Sequence, residues 1–198
     1  MIYSEPNAIL YQGHALDVLR DLSPESVDCV MTSPPYWGLR TYKTEPQIWG
    51  DNHCEHQWGD SHVKTTGNSP SAKSTLDGGK NPAGDSIASL GNFCLKCHAW
   101  RGELGLEPTI ELYISHLIQI FDEVKRVLKK TGTCWVNLDD SYNSAASNQS
   151  SNLGNAAALA EIGQRTPLYK GLPAKSLCLI PSRFALAMVE HGWILRND

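Results

Sequence analysis

The sequence predicts an α/β fold: a partial parallel sheet with flanking helices, interrupted by a loop insertion stapled at its base. Three observations carry that prediction. Short apolar runs end in prolines or polar clusters, as strands of a buried parallel sheet do. Between them lie segments whose apolar residues recur every three or four positions, the helical period. From residue 51 to residue 100 the composition turns polar, with a tight Cys/His pair at each end. The expected organisation is one domain, residues 1–50 and 101–198, with an insertion over 51–100.

Residues 8–12 (Ala-Ile-Leu-Tyr-Gln) read as the first strand, broken by Gly13. Leu16, Leu19 and Leu22 then fall at helical spacing and define a short helix with one apolar face. Ser23-Pro24-Glu25-Ser26 is a turn, and residues 27–32 form the second strand. Strand, helix and strand in this order predict a right-handed βαβ unit.

Thr32-Ser33-Pro34-Pro35-Tyr36-Trp37-Gly38 follows that second strand at once. Open α/β sheets bind ligands beyond the carboxyl ends of their strands, so the segment lies at the expected ligand edge. Two adjoining prolines hold the residues before them extended and remove two backbone donors. The Ser33 hydroxyl and the Pro34 carbonyl are therefore expected to be fixed acceptors, with Tyr36 and Trp37 as flat faces beside them. That suits a planar group carrying an amine, as a nucleobase swung out of its stack does. Ser-Pro-Pro alone reads most simply as a turn; the full Ser-Pro-Pro-Tyr after an apolar strand is more specific.

On this motif the sequence resembles the DNA amino-methyltransferases of restriction–modification systems. The resemblance implies a Rossmann-like methyltransferase sheet, S-adenosylmethionine as cofactor and double-stranded DNA as partner. It implies Ser33, Pro34, Pro35 and Tyr36 as the catalytic segment. The Ser-first form is similar to the cytosine-N4 branch; adenine-N6 methylation is the alternative on the same scaffold. Relatives carry Gly-Asp after the first strand, the acid contacting the cofactor. Here Gly13-His14 stands in that place, and Asp17, one helical turn on, is the candidate. Other readings are an inactive zinc-stapled DNA-binding fragment and a methyltransferase acting on RNA or protein amines.

Residues 40–50 read as a loop beside the site. In the insertion, residues 65–90 are rich in Ser, Gly, Asn, Lys and Pro and are expected to be mobile. Cys54-Glu55-His56 precedes them, and Cys94-Leu95-Lys96-Cys97 follows. Cys54, His56, Cys94 and Cys97 make a four-ligand set of the kind that closes around structural zinc. His53 and His98 are alternative fourth ligands, and scattered thiols with a chance histidine are the plainer reading.

Thr109 is a suitable N-cap for the strongest helix, and Glu111 favours its first turn. Leu112, Tyr113, Leu117, Ile120, Phe121, Val124, Val127 and Leu128 keep the helical period up to Lys129-Lys130, with Gly132 as the stop. His116 belongs near the apolar face as a packed histidine. Residues 133–138 form a third strand, and Asp139-Asp140-Ser141-Tyr142 follows at its carboxyl end. This resembles the family's Asn-Leu-x-Asp-Ser-Tyr segment and implies that Asp139 and Ser141 bind the cofactor; a helix-capping Asp in a turn is the structural alternative. Residues 143–172 lack periodicity and read as a long loop. A helix is predicted over 176–191, with Pro181 as the alternative start at its first turn, and a further strand from Trp193. The family's Phe-x-Gly-x-Gly cofactor loop has no counterpart in the 198 residues, so the chain reads as a catalytic half with an unfinished sheet and weak cofactor binding of its own.

The formal net charge is −4, so no global basic field attracts nucleic acid, and DNA contact has to come from local cations. Arg40, Lys43, Arg165, Lys170, Lys175 and Arg183 are the candidates; Lys125, Arg126, Lys129 and Lys130 are expected to cap a helix end. No apolar run is long enough to span a membrane, and an intracellular protein is expected; the family resemblance implies a cytoplasmic protein of bacterial or phage origin. Reduced cysteines follow from that, with Cys29, Cys134 and Cys178 as buried small hydrophobes.

Overall fold

The computed structural model describes residues 2–5, 7–51, 53–59, 92–143, 169 and 171–197. Its elements run β1 (Ile2–Glu5), β2 (Ala8–Tyr11), α1 (Ala15–Asp21), β3 (Val27–Thr32), β4 (Gln47–Trp49), β5 (Trp100–Gly102), α2 (Ile110–Val127), β6 (Leu128–Val136) and α3 (Ile180–Glu190). The chain divides into two compact units, Met1–Gln47 with Gly102–Asp198, and Ile48–Arg101.

The larger unit is built around α2. Thr109 caps it as expected, its hydroxyl accepting the Leu112 N–H at 3.2 Å. Ile110, Tyr113, Leu117, Phe121, Val124 and Val127 are buried on the helix's apolar side. α1 and α3 both pack against α2. Phe121 and Phe184 meet edge to face at 5.0 Å, an arrangement that favours aromatic pairs. Two cations of α2 reach the ends of its neighbours. Arg126 donates to the Leu22 and Leu19 carbonyls of α1 at 3.0 and 2.6 Å. Lys125 donates to the His191 and Gly192 carbonyls at the end of α3 at 2.7 and 3.0 Å. Both add charged donors to carbonyls at helix ends, where the Leu19 carbonyl also takes the Leu22 N–H at 3.0 Å.

The parallel sheet consists, among the described residues, of β3 and β6, paired from Val27↔Leu128 to Thr32↔Val136. Its register slips after Val27, where four residues of β6, Lys129–Gly132, lie opposite Asp28 alone. Gly132 is needed there, since a Cβ would lie 2.6 Å from Leu128 Cγ and 3.0 Å from the Asp28 carbonyl.

Several expectations are corrected. The strand Ala8–Tyr11 does not join a βαβ unit with β3; it pairs antiparallel with β1 as a separate hairpin. α2 stops at Val127, and Lys129 and Lys130 belong to β6, where Lys129 pairs with Asp28 at 2.7 Å. Helical period and strand composition overlap at Leu128, and pairing with β3 decides in favour of the strand. β3 is also less covered than an apolar run suggests. Val27 and Val30 are half-buried, whereas Cys29 is exposed and Met31 is 81% exposed. A two-stranded sheet offers few neighbours to cover both of its faces. Cys178 is buried as expected, whereas Cys134 is only half-buried. Residues 193–197 form no strand. The expected loops at 65–90 and over most of 143–172, with Arg165 and Lys170, lie outside the described residues.

Candidate active site and metal centre

β3 and β6 end side by side. Beyond their last paired residues, the Asn137 N–H donates to the Thr32 carbonyl at 2.9 Å. Ser33–Tyr36 and Asn137–Tyr142 therefore leave the same carboxyl edge of the sheet, as the sequence suggests.

Ser33 is exposed, and Pro34, Pro35 and Tyr36 are half-buried. The Ser33 hydroxyl and the Tyr36 phenol are 3.5 Å apart, on one side of the segment. Among the described residues nothing donates to the Pro34 carbonyl. The Pro35 carbonyl has a structural role instead: the Tyr113 hydroxyl donates to it at 2.7 Å. Burial, and then the nearby Glu107 and Tyr36 charges, push the Tyr113 ionisation well above its ordinary value, so the phenol remains a donor. Trp37 is not a flat face for a ligand. It is 7% exposed, and its indole N–H donates to the Glu107 carbonyl at 2.9 Å.

Beneath the motif lies a polar support that sequence reasoning missed. The Gly38 N–H donates to the Gly105 carbonyl at 2.8 Å. The Glu107 carboxylate accepts the Gly105 N–H at 2.8 Å and meets His116 Nδ1 at 2.9 Å. His116 is thus packed, as expected, but paired with a buried acid. Gly105 has φ +92°, and a Cβ there would lie 3.1 Å from the Tyr36 carbonyl and 3.2 Å from Pro35 Cβ. Nearby, Glu103 accepts from the Thr41 hydroxyl and the Tyr42 N–H at 2.9 and 3.0 Å, fixing the loop after the motif.

The candidate cofactor residues are placed differently from one another. Asp17 is exposed on α1, facing Arg20 and His14 of its own turn at 3.5 and 3.9 Å. Burial keeps the His14 imidazole below its ordinary pKa, against the charge of Asp17. Asp139 is exposed, its carboxylate accepting the Asp140 N–H at 2.8 Å. The Ser141 hydroxyl is enclosed beside the Cys178 thiol. Asp140 meets the start of α3 from a distant segment, its carboxylate accepting the N–H groups of the N-cap Leu179 and of Ile180 at 3.0 Å each. Asn143, also unforeseen, is buried; its side chain closes the next turn by donating to the Tyr169 and Leu172 carbonyls at 3.0 and 2.7 Å.

In the smaller unit, ligand atoms of Cys54, His56, Cys94 and Cys97 all lie within 4.8 Å of one another. Cys54 and Cys94 sulfurs are 4.0 Å apart, and Cys97 Sγ is 3.4 Å from His56 Nδ1. A tetrahedral zinc with ligands at about 2.0–2.3 Å places them about 3.5–3.8 Å apart, so donor set and spacing fit such an ion. The alternatives His53 and His98 are not members of the cluster. His98 instead turns the chain, with φ +60° and its N–H on the Cys94 carbonyl at 3.0 Å. The Lys96 N–H points at Cys94 Sγ from 3.4 Å. Burial disfavours the Cys94 thiolate, but N–H groups of Cys97, Lys96 and Gln57 together with His56 lower its pKa on balance. Burial and the neighbouring sulfurs raise that of Cys54. His56 stacks on Trp58 at 4.8 Å, and Arg101 lies over the other partner of that stack, 4.6 Å from the Trp58 ring.

The sequence profile described as DNA methylase matches residues 27–198. The chain belongs to the DNA methylase family. Its resemblance to the amino-methyltransferases of restriction–modification systems thus holds at family level. The methylase-family chain is 32% identical over 200 residues to the type II methyltransferase M.Cfr9I of Citrobacter freundii, covering 98% of this chain and 47% of the relative. It is 33% identical to M.XycI of Xanthomonas campestris pv. cyanopsidis over 190 residues, 96% of this chain and 44% of the relative. M.SmaI of Serratia marcescens is 30% identical over 190 residues, 94% of this chain and 44% of the relative. The chain therefore spans less than half the length of these relatives. No solved structure matches it. No helix among the described residues is long and apolar enough to cross a membrane.

Proposed function

We propose that this chain carries the base-binding half of a DNA cytosine-N4 methyltransferase. The observation that carries the reading is the Ser33-Pro34-Pro35-Tyr36 segment at the carboxyl end of β3, with an exposed serine and a Pro34 carbonyl that no described donor occupies. A cytosine amine is a poor nucleophile because its lone pair is delocalised into the ring. The Ser33 hydroxyl oxygen and the Pro34 carbonyl would accept its two N–H bonds, drawing the nitrogen out of conjugation and directing the lone pair. Tyr36 would stack on the extruded base, and Pro35 would hold the segment through its bond to Tyr113. Fixed dipoles and positioning then supply the rate, with no covalent intermediate. S-adenosylmethionine, when bound, supplies the methyl group. Asp17 and Asp139 offer it exposed carboxylates, and Ser141, its hydroxyl enclosed, would shape the turn beside Asp139. Double-stranded DNA is the proposed substrate, and zinc on Cys54, His56, Cys94 and Cys97 the proposed structural ion.

The test is nucleoside analysis of plasmid DNA after incubation with S-adenosylmethionine and the chain, expressed together with the remaining part of the M.Cfr9I relative. N4-methylcytosine is the expected product. N6-methyladenine would transfer the reading to the other branch, and its absence together with that of N4-methylcytosine would overturn it. Tyr36→Ala should cost ~1–3 kcal/mol of stacking, about 5- to 150-fold in methylation at limiting DNA.

A further inference from the structure

We propose that Glu107, backed by His116, is the positioning residue that sets the height and angle of the Ser33–Tyr36 segment; this rests on the methylase reading of that segment. Both residues are buried, at 4% and 2% exposure. A carboxylate so enclosed is costly unless each oxygen finds a partner. Here the two oxygens are divided. Oε1 meets His116 Nδ1 at 2.9 Å, and Oε2 takes the Gly105 N–H at 2.8 Å.

What the second bond holds is the floor of the motif. Gly105 lies against the backbone of Pro35 and Tyr36 so closely that a methyl group could not be added without contact at 3.1–3.2 Å. Its carbonyl takes the Gly38 N–H at 2.8 Å, and the carbonyl of Glu107 itself takes the Trp37 indole N–H at 2.9 Å. The motif is thus fixed at its start by the Thr32–Asn137 bond and just beyond its end by two bonds to the 105–107 turn. The shape of that turn depends on the Glu107 carboxylate. Glu107 reaches neither the Ser33 hydroxyl nor the Pro34 carbonyl, so its part is to place them. Displacing reacting groups by about 1 Å can cost on the order of 100-fold in rate.

The experiment measures amide hydrogen exchange at Gly38 and Gly105, and the Trp37 indole resonance, by NMR on the chain. Glu107→Ala should raise exchange at both glycines at least about 10-fold and shift the Trp37 signal, while Asn143 and Cys178 amides stay as in the wild type. Glu107→Gln should restore both, because its carbonyl accepts from Gly105 and its amide donates to the other His116 tautomer. In the methylation assay above, Glu107→Ala should lower kcat ~10- to 100-fold with the DNA KM within about 3-fold, and Glu107→Gln should recover most of it. Unchanged Gly38 exchange in Glu107→Ala, or Glu107→Gln behaving like Glu107→Ala, overturns the proposal. If Glu107→Ala does not fold, His116→Ala is read by the same exchange criterion. Should exchange respond as expected while the wild type transfers no methyl group, the methylase reading fails and the positioning role stands.

Discussion

Replacing Tyr113 by Phe removes a single oxygen from a fully buried side chain and tests how the motif is held. The hydroxyl donates to the Pro35 carbonyl at 2.7 Å, joining α2 to the middle of the Ser-Pro-Pro-Tyr segment. Loss of a net hydrogen bond costs ~0.5–1.5 kcal/mol, and a carbonyl left without a partner adds to it, for ~1–3 kcal/mol in all. Pro35 is half-buried, so water can partly replace the phenol, which favours the lower half of that range. For a chain of this size, ~1–2 kcal/mol lowers Tm by about 2–8 °C. All described helices lie in the larger unit, so circular dichroism at 222 nm reads the relevant transition. The pH dependence follows from the sign of the ionisation shift. Burial raises the Tyr113 pKa in the folded state, so the fold favours the protonated phenol. Its contribution is complete below the unfolded value of about 10 and declines as the pH rises above it. The deficit of Tyr113→Phe should therefore be constant between pH 6 and 9. A deficit under about 0.5 kcal/mol, or one that shrinks within that interval, would refute the assignment of the bond and of its donor.

Two further outcomes are expected. Asp140→Ala removes the carboxylate that accepts both Leu179 and Ile180 N–H groups, and should cost ~1–2 kcal/mol with loss of helical signal from α3; urea denaturation checks it. Cys97→Ser should abolish retention of a stoichiometric zinc ion after dialysis, and the charge-transfer absorption of the cobalt-substituted wild type should be weakened in the same variant, since thiolates dominate the ligand set.

The parts of the fold legible in the sequence are those written in local signals. α2 announces itself by the period of its apolar residues and by Thr109; the motif announces itself by its prolines; the Cys/His set, by two tight pairs of soft ligands. Elements that depend on distant partners were not legible. The end of α2 could not be placed because Leu128 continues the helical period, and only its pairing with Val27 makes it strand. Cys29 and Met31 resemble core residues in any apolar run; their exposure depends on what packs over the sheet. Glu107 reads as a charged residue before a helix. Its place beneath the motif follows from Gly105, His116 and Trp37, the last of them 70 residues away in sequence.

The same distinction governs how a chain of net charge −4 could approach a polyanion. Counting basic residues overstates what is available. Lys125 and Arg126 are committed to the carbonyls closing α3 and α1. Arg183 donates to the Cys178 carbonyl at 3.0 Å and lies 3.8 Å from Glu111. Lys129 is paired with Asp28. Arg40 and Lys43 are both exposed and both lie in the loop directly after the motif. That loop is anchored by Glu103 through Thr41 and Tyr42, so its cations are carried on fixed backbone. Among the other described candidates, Lys175 is also exposed; under the methylase reading, each such cation that meets a phosphate adds its increment to the dependence of affinity on salt.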